Sequence, residues 1–117
     1  MSTDKKVLII DDETDLCLLL KGYFLRKNYE VFISHRLEDG LAMLDKVQAD
    51  ILFIDNNLPD GAGWEQVPGI AVLYPQLFIC MVSAFHPAAP QMPVNAKYMI
   101  MEKPIRLNDL DKQFSSL

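Results

Sequence analysis

Ile51-Leu52-Phe53-Ile54 runs without a break into Asp55, and Asn56-Asn57-Leu58-Pro59-Asp60-Gly61 follows at once. A short continuous apolar run closed by turn formers suits a strand buried on both faces, as in a parallel sheet. Asp55 then stands at the carboxyl end of that strand, the edge where open α/β sheets place their ligands. Taken alone, the stretch reads equally well as a solvated Asp opening a turn. Val7-Leu8-Ile9-Ile10 repeats the pattern and ends in Asp11-Asp12. Two strands delivering acids to one edge point to a cation site.

The rest of the chain alternates in kind. Lys6 to Ile10 reads as the first strand. Leu16, Leu19, Leu20, Tyr23 and Phe24 recur at helical spacing from about Thr14 to Lys27, with Thr14 or Asp12 as cap and Asn28 at the end. Glu30 to Ser34 is a second strand rich in β-formers. Leu37 to Val47 is a second helix, with Leu37, Leu41 and Leu44 on one face. After the strand ending at Asp55, Pro68-Gly69 interrupts a helical pattern, and proline is tolerated only in a helix's first turn. The spacing therefore predicts a short turn at Trp64 to Val67 and a helix starting near Pro68. Phe78 to Val82 is a fourth strand, ending at Ser83. Pro87, Pro90 and Pro93 cannot lie inside one α-helix, so Phe85 to Asn95 is expected to be an irregular or polyproline-like loop. Tyr98 to Met101 is a fifth strand, ending at Glu102-Lys103-Pro104. Ile105 to Leu117 closes the chain as a helix with Leu107, Leu110 and Phe114 inward.

Strands alternating with helices predict an α/β fold: a five-stranded parallel sheet of flavodoxin-like order 2-1-3-4-5 with helices on both faces. The fourth helix is missing or irregular in this reading. At 117 residues the chain is one domain, residues 1–117, with 50% apolar residues to fill its core. A net charge of −5 argues against a nucleic-acid-binding surface. No apolar run reaches the length of a membrane span, and the N-terminus lacks a signal-peptide core. Cys17 and Cys80 sit in apolar segments without metal-ligand spacing, as buried thiols in a reducing cytosol do.

Polar groups thus reach one edge from four strands: Asp11 and Asp12, Asp55, Ser83, and Lys103. Crowded carboxylates repel unless a cation sits between them. Lys103 is one such cation. An all-oxygen set favours magnesium over zinc for another, and magnesium keeps open positions for phosphate oxygens. Such a site suits phosphoryl transfer.

These residues carry a resemblance. Leu8-Ile9-Ile10-Asp11-Asp12-Glu13, Asp55 through Gly63, Ser83-Ala84 and Lys103-Pro104 resemble, in order and position, the motifs of the receiver (phosphoacceptor) domain of two-component response regulators. The resemblance implies that Asp55 is the phosphoacceptor, attacking the phosphorus of a phosphohistidine on a sensor histidine kinase or phosphotransfer protein. It implies Asp12, Asp55 and the Asn57 carbonyl as magnesium ligands, with Asp11 acting through a metal-bound water. Lys103 would pair with phosphoryl oxygens, and the Ser83 hydroxyl would swing in to report their arrival. The implied setting is cytoplasmic signalling to a downstream output domain or protein, by a phosphoacceptor that is not itself a turnover enzyme.

The chain departs from the family in two places. Prolines replace the helix after Ser83, and the aromatic expected three residues before the lysine is Ile100, with Tyr98 nearest. The usual output and dimerisation face is therefore altered, and the readout is expected to be either the proline loop itself or another face of the domain. Asn57 and Phe85 occupy positions that tune dephosphorylation in the family. A degenerate receiver, serving as an interaction module without phosphorylation, is the competing reading. An aspartate-based phosphatase would want its first two acids separated by one residue, whereas Asp11 and Asp12 are adjacent, and a flavodoxin would want a Ser/Thr/Gly-rich phosphate loop where Asp11 to Leu16 is acidic.

Overall fold

A computed structural model describes residues 5–85 and 88–117. In chain order the elements are β1 (Lys6–Ile10), α1 (Thr14–Arg26), β2 (Glu30–Ser34), α2 (Leu37–Val47), β3 (Ile51–Asp55), β4 (Asn57–Leu58) and β5 (Gly61–Ala62). A 3₁₀ turn (Gly63–Gln66), α3 (Val67–Leu73), β6 (Phe78–Ser83), β7 (Lys97–Glu102) and α4 (Leu107–Phe114) follow. The main sheet has the order β2-β1-β3-β6-β7, and each neighbouring pair is parallel. Setting aside the small antiparallel β4–β5 hairpin, this is the expected 2-1-3-4-5 order.

Period-two alternation sends residues of each strand to opposite faces, so two cores form. Val7, Ile9, Phe53, Cys80, Val82 and Met101 face α1 and α4. Leu8, Ile10, Leu52, Ile54, Ile79 and Met81 face α2, α3 and Trp64. Phe24 of α1 anchors the first core. It is fully buried and meets the rings of Phe53 at 5.7 Å and Phe114 at 5.2 Å. Burying such a ring contributes about 1.5–3 kcal/mol. Gly40 of α2 lets that helix press onto β1, since a methyl there would stand 2.5 Å from Ile10 Cδ1.

Element ends follow local chemistry. Asn28 takes a left-handed conformation (φ 67°) just past α1, the position where Gly or Asn ends a helix. Pro68 is the second residue of α3, where its missing N–H has no partner to lose. The cap of α1 is a correction: Glu13 holds the cap position, and neither Thr14 nor Asp12 makes a side-chain cap bond. Instead, Asp11 Oδ1 accepts the Glu13 N–H at 2.8 Å.

Two further corrections concern the C-terminal part. The closing helix covers Leu107–Phe114, shorter than Ile105 to Leu117. Arg106 before it is extended, and its N–H donates to Asp109 Oδ2 at 2.9 Å, which fixes the start. Leu107 is 45% exposed. It rims an open groove beside Tyr23, Arg26 and Lys27 at the end of α1, so it has no core to enter.

Among the described residues of the β6–β7 connection there is no helix or strand. His86 and Pro87 of the expected loop lie outside the described residues. Met92 and Ala96 pack on the second core in place of a helix. They cover β6 but not β7: Tyr98 and Ile100, in register with Ile79 and Met81, remain 40% and 45% exposed.

Candidate functional site

Parallel strands of matched length bring their carboxyl ends to one line. Asp11 follows β1, Asp55 ends β3 and Ser83 ends β6, and all three are buried. Lys103 follows β7, and its N–H donates to the Ser83 carbonyl at 2.8 Å, which ties the fifth strand's end to the fourth. Asp12 is exposed at the rim. A cleft of about 350 Å³ is lined by Asp12, Glu13, Asp55, Asn57, Ser83, Ala84, Phe85 and Lys103. A larger cleft, about 420 Å³, runs along β7 and α4. It shares Lys103 but none of the site's aspartates.

Carboxylate oxygens of Asp11, Asp12 and Asp55 lie within 4.8 Å of one another. The Lys103 ammonium sits among them, 3.1 Å from Asp11 Oδ2, 3.3 Å from Asp11 Oδ1, 3.5 Å from Asp55 Oδ2 and 3.1 Å from Glu13 Oε1. Burial raises the Asp11 carboxyl's pKa, opposed by the Glu13 N–H and Lys103. Burial also raises that of Asp55, with the Asp11 charge adding to it, against Lys103 and the Asn57 N–H. Burial works against the Lys103 charge, but the bond to Glu13 and the Asp11 charge outweigh it, so its pKa is raised and it stays protonated.

One positive charge is shared among several carboxylates, and Asp11 Oδ2, though near Lys103, is buried without a hydrogen bond. Buried oxygens left this way are costly. A hard divalent cation that takes oxygen ligands fits this donor set.

Every sequence-predicted site residue lines this edge: Asp11, Asp12, Asp55, Asn57, Ser83 and Lys103. The loop between β3 and α3 is held from several sides. The Asn56 carbonyl accepts the Gly63 N–H at 3.2 Å, and Asn56 Oδ1 accepts the Trp64 N–H at 3.2 Å. A side chain at Gly63 would overlap the Asp55 carbonyl oxygen and reach within 2.9 Å of Ile54 Cγ1, so the close approach requires glycine. Asp60 at the hairpin tip accepts the Leu37 and Glu38 N–H groups at 2.7 and 2.9 Å, capping α2 across the fold. Those bonds hold its carboxyl below the ordinary range. The Ser83 hydroxyl accepts the Phe85 N–H at 3.2 Å.

Sequence reasoning assigned no role to Glu13, Asn56, Asp60 or Gly63. His35, exposed at the surface, donates its Nδ1–H to the Asp11 carbonyl at 2.9 Å. For Glu13 the signal was present, since it continues the acidic run after β1.

The fold and this edge define a flavodoxin-like α/β domain with an acidic carboxyl-edge site. The family model for the response regulator receiver domain matches residues 7–115, and the chain belongs to that family. Regulatory protein VanR of Enterococcus faecium is 34% identical over 58 residues, 50% of this chain and 25% of VanR. Response regulator protein PilR of Pseudomonas aeruginosa is 30% identical over 81 residues, 69% of this chain and 18% of PilR. The chain thus matches a quarter or less of the length of these two relatives. A CheY-like receiver domain protein from Methanospirillum hungatei superposes with a TM-score of 0.79 at 25% identity, covering 96% of this chain and 91% of that one. TrrA of Thermotoga maritima, in complex with Mg(2+)-BeF, superposes with a TM-score of 0.79 at 21% identity, covering 96% of this chain and 97% of TrrA. TrrA in complex with the histidine kinase ThkA gives a TM-score of 0.73, again at 21% identity with 96% and 97% covered. At that identity TrrA carries the fold alone.

Proposed function

We propose that Asp55 accepts a phosphoryl group from a phosphohistidine on a sensor histidine kinase or phosphotransfer protein, and that the domain changes conformation to signal to an output domain or protein. The observation that carries this reading is the Lys103 ammonium 3.5 Å from Asp55 Oδ2, where the buried Asp11 and Asp55 gather with Asp12 at the rim. Asp55 Oδ attacks phosphorus, the P–O bond forms, and the P–N bond breaks with its electron pair passing to the imidazole nitrogen. Phosphoryl transfer needs positioning and charge neutralisation more than covalent help. Lys103 holds negative charge on the phosphoryl oxygens. Asp12, Asp55 and the Asn57 carbonyl, with Asp11 through water, would hold a magnesium ion, which supplies further neutralisation when bound. The Ser83 hydroxyl turns to the new oxygens and gives up the Phe85 N–H, which releases the loop that starts there.

Intact mass after incubation with acetyl phosphate tests the reading, with and without magnesium, and with Asp55→Asn as control. The expected result is a magnesium-dependent gain of one phosphoryl group that is absent in the variant. No gain together with no magnesium binding would favour the second reading, an interaction module without phosphorylation. That reading draws its support from the uncovered Tyr98 and Ile100.

A further inference from the structure

We propose that Glu13 is a positioning residue that competes with the phosphoryl group for Lys103, and so acts as a brake on phosphorylation at Asp55. The proposal rests on the phosphoacceptor reading above. An ammonium has three N–H donors. Here four oxygens from three carboxylates surround it, at 3.1 Å (Asp11 Oδ2), 3.3 Å (Asp11 Oδ1), 3.1 Å (Glu13 Oε1) and 3.5 Å (Asp55 Oδ2). Charge-assisted N–H···O bonds run to roughly 2.9 Å, so Asp55 is the most weakly held of the partners. Asp11 and Glu13 hold the ammonium closer than the acceptor does.

A phosphoryl group on Asp55 adds negative charge and strong acceptor oxygens. Lys103 can meet them only by leaving a present partner. The Asp11 side chain is 3% exposed, and stripping it of its cation would strand a buried charge. The Glu13 side chain is 54% exposed and rehydrates freely. Glu13 is therefore the partner released, and whatever holds it to Lys103 opposes phosphorylation. Its oxygens are not among the gathered carboxylates that fit a metal, so its effect runs through Lys103.

The test is beryllofluoride affinity at saturating magnesium, together with kcat/KM for acetyl phosphate, in wild type, Glu13→Gln and Asp15→Asn. Asp15 carries the same charge in the first turn of α1 and, among the described ion pairs, makes none with Lys103. Glu13→Gln is expected to bind beryllofluoride about two- to fivefold tighter, the range of an exposed ion pair, with kcat/KM raised alike. Its magnesium affinity without beryllofluoride should not rise. The gain should shrink at high salt, as screening weakens the lost competitor in wild type, while Asp15→Asn stays near wild type. A loss of packing would not produce this tighter, salt-sensitive pattern. Equal or weaker beryllofluoride binding in Glu13→Gln, or an equal gain in Asp15→Asn, overturns the brake while leaving the acceptor role intact. If wild type binds no beryllofluoride and takes no phosphoryl group, the acceptor reading fails and the brake falls with it.

Discussion

Adding one methyl group at either of two glycines should move stability in opposite directions. At Gly63 the methyl would overlap the Asp55 carbonyl oxygen and stand 2.9 and 3.2 Å from Ile54 Cγ1 and Cδ1. Overpacking of this kind costs about 1–3 kcal/mol. The Ile54 atoms can shift rotamer, but the Asp55 oxygen belongs to a strand paired on both sides, so Gly63→Ala should fall in the upper part, about 2–3 kcal/mol. With about 2.1 cal/mol/K of unfolding entropy per residue, a chain of 117 residues loses about 8–12 °C in Tm. At Gly69, in the first turn of α3, a methyl meets nothing within 4 Å. Gly69→Ala restricts the unfolded chain without strain and should stabilise by about 0.4–1 kcal/mol, raising Tm by about 2–4 °C. Thermal unfolding of both variants followed by circular dichroism, in magnesium-free buffer, measures the pair. A Gly63→Ala melt within about 2 °C of wild type would refute the claim that the loop presses on the Asp55 backbone. So would Gly69→Ala falling as far as Gly63→Ala, because the loss would then reflect the loss of glycine itself.

Asp60 sets an acid limb. Its folded pKa lies below the ordinary 3.8 because the Glu38 and Leu37 N–H groups bond its carboxylate. Its contribution is therefore fully present above the unfolded value and lost as pH falls through the folded one. Urea midpoints measured down through that window should fall more steeply for wild type than for Asp60→Asn. Ile100→Ser should change stability by no more than about 0.5 kcal/mol, while Met101→Ala, its neighbour on the buried face, should cost about 2–5 kcal/mol in urea unfolding. A large Ile100 effect would mean that something covers this face in solution. With beryllofluoride and magnesium, amide exchange should rise at Phe85 and residues 88–95 and stay level at residues 56–64. Unchanged exchange in the first segment would sink the loop as readout.

What could be read from the sequence was what short-range pattern encodes. The apolar runs placed β1 and β2 at Lys6–Ile10 and Glu30–Ser34, and Pro68 marked where α3 could start. The prolines after Ser83 announced that the described residues of the β6–β7 connection would form no helix, because no tertiary contact can restore their N–H groups. What stayed hidden depends on partners far along the chain. Asp60 caps a helix that starts 23 residues earlier, and Glu13 meets a lysine that lies 90 residues further along the chain (103 − 13). Leu107 shares a helical face with Leu110 and Phe114, but α1 ends too soon to cover it. Periodicity gives direction around a helix and says nothing about how far the neighbour extends.

The site has one stiff wall and one soft one. On the stiff side, Asn56 holds Gly63 and Trp64, Gly63 lies against the Asp55 backbone, and Asp60 fastens the hairpin to α2. Breaking any of these disturbs a buried contact or a helix end. On the soft side, a single N–H···O bond joins Phe85 to Ser83. Among the described residues beyond it, the Ala96 N–H to the Pro93 carbonyl at 3.0 Å is the loop's own backbone tie. If Asp55 takes a phosphoryl group as proposed, the new charge must be met by groups that can move, and the stiff wall's donors are already committed. The response would then fall to Ser83 and Lys103, which are joined through the Lys103 N–H and the Ser83 carbonyl at 2.8 Å. Both lead to the face of β7 where Tyr98 and Ile100 lie uncovered. On the proposed reading, a change at the buried Ser83 and the half-buried Lys103 would reach that uncovered face of β7 directly, with no helix among the described residues between.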